Sequence, residues 1–223
     1  MNKRIPIILM SMSAMLLTAC DTGISQEKFV NQLNSTKANL TFDSEVLDNV
    51  HIQDKSSLNQ TNYKEGEFYS KVSGLVLTRV VEYVWKDEDG KYYHYKKDLL
   101  NTVDTELTEE AFNIKMATLR GDICAKLNEG ILECENLLRD EPVGYTNVKN
   151  AFYQTAKGEY RLNSTMTYKA SEDAEEQTRK VMFLMKKNLP IKYTVKLDSE
   201  STVKYSFGNA SFTKPSRGST DGE

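Results

Sequence analysis

The chain has 223 residues, 39% of them hydrophobic and 27% charged, with a mean hydropathy of −0.55. These proportions exclude a disordered or collagen-like chain. Lysine and arginine number 29 against 32 aspartate and glutamate, a formal charge of −3, too near balance to create the field that draws a protein onto nucleic acid.

The first twenty residues carry two cations, Lys3 and Arg4, then the apolar run Ile5 to Leu17, then Leu17-Thr18-Ala19-Cys20. That order predicts a secretory signal over residues 1–19. The run of about 13 residues would cover roughly 20 Å as a helix, short of the ~30 Å hydrocarbon core of a bilayer. Its last four residues resemble the bacterial lipobox. That resemblance implies a diacylglyceryl group on the Cys20 sulfur, cleavage before Cys20, and a membrane-anchored chain facing outside the cytoplasm. Asp21 resembles the signal that holds Gram-negative lipoproteins on the periplasmic side of the inner membrane. Removing residues 1–19 leaves 27 cations against 32 anions, a formal charge of −5. On that net charge an anionic membrane surface should not attract the mature chain, and membrane residence would rest on the lipid alone.

After a short tether, residues 20–24, one domain is expected over residues 25–213, because no linker-like or low-complexity block interrupts it. Phe29, Val30 and Leu33 share a helical stripe, with Ser25 as N-cap. Ala38, Leu40 and Phe42 alternate with polar residues and predict a first strand. Val81, Tyr83 and Trp85 predict a second strand, and after the polar tip Lys86-Asp87-Glu88-Asp89-Gly90 the alternation resumes at Tyr93 and Tyr95, as in a hairpin.

Thr108 caps a helix in which Phe112, Met116, Leu119 and Ile123 form one face, with Leu107 and Phe112 as a hydrophobic staple. Cys124 and Cys134, ten residues apart in an oxidising compartment, suggest a structural disulfide, with free thiols as the alternative. On one helix they would stand about 15 Å apart, against the roughly 4.4–6.8 Å of bridged Cα atoms. A bridge therefore requires a turn, for which Asn128-Glu129-Gly130 is the candidate, in a hairpin or a helical corner.

Tyr160, Leu162, Ser164, Met166 and Tyr168 alternate with polar residues, as do Ile191, Tyr193, Val195 and Leu197 and then Val203, Tyr205 and Phe207. These predict antiparallel strands with one wet face. Val181 to Met185 is unbroken apolar, consistent with a strand covered on both sides or a buried helix. Residues 214–223 have nothing to bury and predict a disordered tail.

The sequence contains no constellation that identifies a reaction. His51 and His94 are the only histidines and have no ligand spacing around them, so no metal and no cofactor is expected, and His94 reads as an ordinary surface residue. No serine elbow or phosphate loop stands out. Glu109-Glu110 and Glu175-Glu176 read as solvated charge, since adjacent side chains point apart. The expectation is a protein without catalytic activity.

The order of elements, an anchor, a short helix with Phe29 and Leu33, the segment Ala38 to Phe42, many amphipathic strands and the closing Leu189-Pro190-Ile191-Lys192-Tyr193 strand pair, resembles the LolA/LolB and LppX-type lipoproteins. The fold class this implies is α+β: a curved antiparallel sheet, an incomplete barrel, with a few helices packed over one face. The resemblance also implies a cavity for an apolar lipid or acyl ligand. Phe42, Tyr83, Trp85, Met166 and Tyr193 are the candidates to line it from the sheet, and Phe112 and Met116 to lid it. The alternative is an envelope module with a filled core, in which the tyrosine-rich hairpin around Tyr92 to Tyr95 meets a protein or glycan partner.

Overall fold

The computed structural model describes residues 21–55, 59–73, 79–169, 171, 174–197, 199–211 and 213–214. The signal segment and Cys20 lie outside them. So does most of the expected tail, of which Lys214 is placed with its ammonium group 2.9 Å from Glu67 Oε1.

The described chain runs β1 (Thr22–Gly23), α1 (Gln26–Ala38), a 3₁₀ turn (Glu45–Asp48), β2 (Asn49–Asp54), β3 (Gln60–Lys64), β4 (Glu67–Ser73), β5 (Arg79–Lys86), β6 (Tyr92–Lys97), β7 (Thr102–Leu107), α2 (Glu109–Leu137), β8 (Tyr145–Gln154), β9 (Tyr160–Tyr168), β10 (Gln177–Lys186), β11 (Leu189–Lys196) and β12 (Glu200–Phe207). All twelve strands join one open sheet in the order β1-β8-β9-β10-β11-β12-β2-β3-β4-β5-β6-β7. Every pairing is antiparallel.

Two meanders, β2 to β7 and β8 to β12, meet side by side where β12 pairs with β2. The chain therefore leaves β7 at one edge and must re-enter at β8, beside the other edge. Ten inter-strand steps of about 4.8 Å separate them. The 29-residue α2 makes this return, and at about 1.5 Å per residue it is roughly 44 Å long.

The strands under the helices alternate because their inner face is the covered one. On β9, Leu162, Ser164 and Met166 are buried, and on β10 Val181, Phe183 and Met185 are. Met182 and Leu184 point outward and are half-buried, so the unbroken apolar run is a strand. The inner-face residues form one core with α1 and α2, from Phe29 and Leu33 through Ile123, Leu127 and Ile131 to Phe183 and Tyr193.

Helix α1 begins as the sequence predicts, Ser25 Oγ accepting from the Lys28 N–H at 3.2 Å, and the Phe29 ring lies 5.2 Å from Phe152. The strand expected over Ala38, Leu40 and Phe42 does not form. Ala38 ends α1, and the backbone N–H groups of Asn39, Leu40 and Ser44 bond to carbonyls three residues back. Local turns thus satisfy the groups a ladder would need. The alternation arose because Leu40 is buried while Phe42 is 45% exposed.

Candidate functional site

Helix α2 sits where a lid would, and its residues show what kind of cover it is. Thr108 Oγ1 accepts from the Ala111 N–H at 3.2 Å, and from Phe112 onward the buried positions follow one stripe to Leu137. The helix does not break at Asn128-Glu129-Gly130. Gly130 is instead its point of closest approach to the sheet: a Cβ built there would stand 2.8 Å from Phe183 Cε2 and 3.2 Å from Tyr193 Cγ. Glycine serves close approach here rather than a turn.

The disulfide expectation is corrected by the same helix. Cys124 and Cys134 are both free, ten residues apart on one unbroken α2, hence about 15 Å apart. Cys124 donates its thiol to the Leu40 carbonyl at 3.2 Å. Cys134 is fully buried, and burial, with Glu133 and Glu135 beside it, raises its thiol pKa well above the ordinary range. It is an inert core residue.

The seven candidate cavity residues do not form one site. Phe112, Met116, Met166 and Tyr193 are together in the core between α2 and the sheet, each at most 7% exposed. Tyr83 and Trp85 face away from it, because β5 directs Val84 inward and strand neighbours alternate. Phe42 lies in the turn after α1, with the Arg120 guanidinium 5.8 Å from its ring centre. Hollows lined by described residues include four of 330, 440, 400 and 160 Å³, and none of the seven lines any of these.

Polar ties hold α2 down along its length. The Lys115 ammonium is 2.8 Å from Glu82 Oε1 on β5, and His94 Nε2 of β6 reaches the same oxygen at 2.8 Å. Arg120 bonds Asp48 and donates to the Ser44 carbonyl at 2.8 Å. Tyr205 on β12 donates to the Lys126 carbonyl at 3.4 Å. Glu133 receives the Tyr145 hydroxyl at 2.9 Å and meets Arg179 of β10 at 3.2 Å. Burial and that hydrogen bond push the Tyr145 hydroxyl up to about 12. At the C-terminal end, Asn150 of β8 donates to the Leu137 carbonyl at 2.7 Å.

Among the described residues no helix lies on the other side of the sheet. There Tyr69, Tyr83 and Tyr95 stand in register on β4, β5 and β6, with ring centres 4.8 and 6.0 Å apart. Burial and the flanking phenols raise the Tyr83 hydroxyl. Trp85 and Tyr93 form a second pair at 5.3 Å and are nearly buried. The tyrosine-rich hairpin is therefore split between the two faces: Tyr92 stacks on Phe112 at 4.6 Å on the inner side, whereas Tyr95 joins the outer row.

Among the described residues no three His, Cys, Asp or Glu side chains are grouped to hold a metal, and no helix is long and apolar enough to cross a membrane. Compared with known proteins, the chain matches no family model and no curated sequence.

Proposed function

We propose that the chain is a lipoprotein anchored through lipid on Cys20, facing outside the cytoplasm, and that its folded part is a non-catalytic interaction module with a filled core. In a Gram-negative cell Asp21 would keep it on the inner membrane. The observation that carries the module reading is the seat of α2: at Gly130 the helix lies so close to Phe183 and Tyr193 that a single methyl group does not fit. An acyl chain needs open volume between helix and sheet, and the close packing at Gly130 supports a cover that leaves none at its centre. The resemblance to LolA/LolB and LppX-type lipoproteins supports the architecture and the membrane setting, and we carry over no ligand pocket from it. With the inner face occupied, the outer face is the surface left to meet another component of the envelope.

Native mass spectrometry of residues 21–223, purified gently from cells of the source and followed by organic extraction, tests this reading. A clean apo mass, with no uptake of an added fluorescent fatty acid, is expected. A co-purifying lipid would overturn it in favour of a carrier. The anchor is tested separately, because Cys20→Ser should be released from membranes by a high-salt wash that leaves the parent bound, and retention of the variant through that wash would refute lipidation.

A further inference from the structure

The outer face holds a feature that net charge conceals. Arg161 on β9 is in register with Leu184, which pairs with Lys192 on β11. Lys192 stands opposite Lys204 on β12, and Lys204 opposite Gln53 on β2. The same row continues through Gln60 to Lys71 on β4 and through Val81 to Lys97 on β6. Five cations and no carboxylate thus lie along a single line across the sheet. All face outward, because their strand neighbours Leu162, Tyr193, Tyr205 and Phe68 belong to the core and Tyr92, an odd number of positions from Lys97, stacks on α2.

Arg161 is paired with Asp21. Among the described residues no carboxylate pairs with Lys71, Lys97, Lys192 or Lys204. Like charges directly opposite in an antiparallel ladder repel, and here Lys55 joins them: its ammonium group, with Lys192 behind it, holds the Lys204 pKa below its ordinary value. In the adjoining line Lys180 stands opposite Lys196. The carboxylates Glu109, Glu110, Asp122, Glu129, Glu133 and Glu135 are carried by α2, on the other side of the sheet. At physiological ionic strength charges are screened over about 8 Å, and a helix alone is about 10–12 Å thick. The outer face has carboxylates of its own, Glu67 on β4, Asp104 and Glu106 on β7 and Glu200 opposite Lys196, but none lies in the basic line, so a surface approaching that line meets its lysines and not the chain's net charge.

The position of the anchor indicates which surface that is. Asp21, one bond from Cys20, is tied to Arg161 at one end of the basic line, and Thr22 and Gly23 continue as β1 along β8. An anchor at Cys20 has no slack with which to lift this end of the sheet from the membrane. Parallel to the basic line runs the row Tyr69, Tyr83 and Tyr95, side chains of the kind that settle at the headgroup level of a bilayer. We propose that the outer face of the sheet lies on an anionic lipid surface, with the lysines of β4, β6, β11 and β12 against its phosphate groups. The orientation rests on the lipoprotein reading; the basic line itself does not.

The test uses residues 21–223, which contain every described residue and lack the anchor, so that binding reports the face alone. Sedimentation with vesicles of phosphatidylglycerol in phosphatidylcholine should show binding that is lost at high salt, and vesicles of phosphatidylcholine alone should show none. Each lysine near an anionic surface contributes roughly five-fold to binding, so the pair K192Q and K204Q should weaken it about 25-fold. K157Q, in the turn between β8 and β9, should leave it unchanged. Equal binding to both vesicles, no binding to either, or indifference to K192Q and K204Q would overturn the proposal, as would retention on an acidic polysaccharide in place of vesicles. None of these outcomes depends on whether Cys20→Ser releases the full chain, which reports on the anchor.

Discussion

Glu82 stays ionised further into acid than a glutamate on an open strand. Its hydrogen bond with His94 comes first among the causes, and the Lys115 ammonium adds to it against the opposing cost of burial, so the carboxyl pKa falls from an ordinary 4.5 to about 2. In the unfolded chain the same carboxyl takes a proton near pH 4.5, so between there and pH 2 the unfolded state binds more protons than the folded one. The stabilisation is therefore complete above pH 4.5 and is lost as pH falls towards 2. Its size is about 2 kcal/mol once the partial exposure of Lys115 is allowed for. Glu82→Gln should accordingly be less stable than the parent at pH 6 by about that amount and nearly equal to it at pH 2, as read by urea unfolding. A gap independent of pH would mean that packing rather than charge is lost. None of this was visible in the sequence, where His94 read as a surface residue. The tie depends on how β5 and β6 meet, with Val84 opposite His94, and on a helix turn of α2 arriving above them.

Helix α2 combines the most legible and the least legible stretches of the chain. Its first four turns were readable because Thr108 caps them and Phe112, Met116, Leu119 and Ile123 repeat at helical spacing. Its second half was not, because Asn128-Glu129-Gly130 has the composition of a turn and the helix needs a glycine there for a reason only the sheet supplies. Gly130→Ala should therefore behave contrary to helix propensity. Alanine normally gains up to about 1 kcal/mol over glycine in a helix, but this Cβ would press on the Phe183 and Tyr193 rings, and overpacking costs about 1–3 kcal/mol. The expected result is a lower Tm, by about 2–4 °C for each kcal/mol lost. Gly121→Ala, in the same helix with nothing within 4 Å of its Cβ, should raise Tm. If both substitutions stabilise, α2 is not seated on the sheet as described. The strands divide in the same way. Those with their apolar residues on the core face, β9, β11 and β12, announce themselves by alternation, whereas in β5 and β6 the alternating row Tyr83, Trp85, Tyr93 and Tyr95 marks the outer face, with Val84 buried on the inner one. β7 is exposed at nearly every position, β3 buries Thr61 and Asn62 beside Tyr63, and β8 is interrupted by a register shift near the left-handed Asn147, so none of these three carries the period.

At the scale of the whole molecule the question is whether α2 is a lid or a girder. The sheet is two meanders of mostly local pairings, joined by the β12–β2 ladder, and α2 is the element that touches both. It reaches β5 through Lys115 and Glu82, β12 through Tyr205, and β8 and β10 through Glu133. A lid over an acyl cavity would have to open without the sheet, so its amides should exchange hydrogen at a lower free energy than those of β9 and β10. A girder cannot do this, because lifting it strips the core from both meanders at once, along with Leu127 and Ile131, which are fully buried at its centre. Native-state hydrogen exchange should therefore show the central turns of α2 and the strands β9, β10 and β2 opening together at the global unfolding free energy. Leu127→Ala, expected to cost about 2–5 kcal/mol, should lower all of them by one common amount. Early exchange confined to α2, with β9 and β10 still protected, would instead make the helix a gate and reopen the carrier reading.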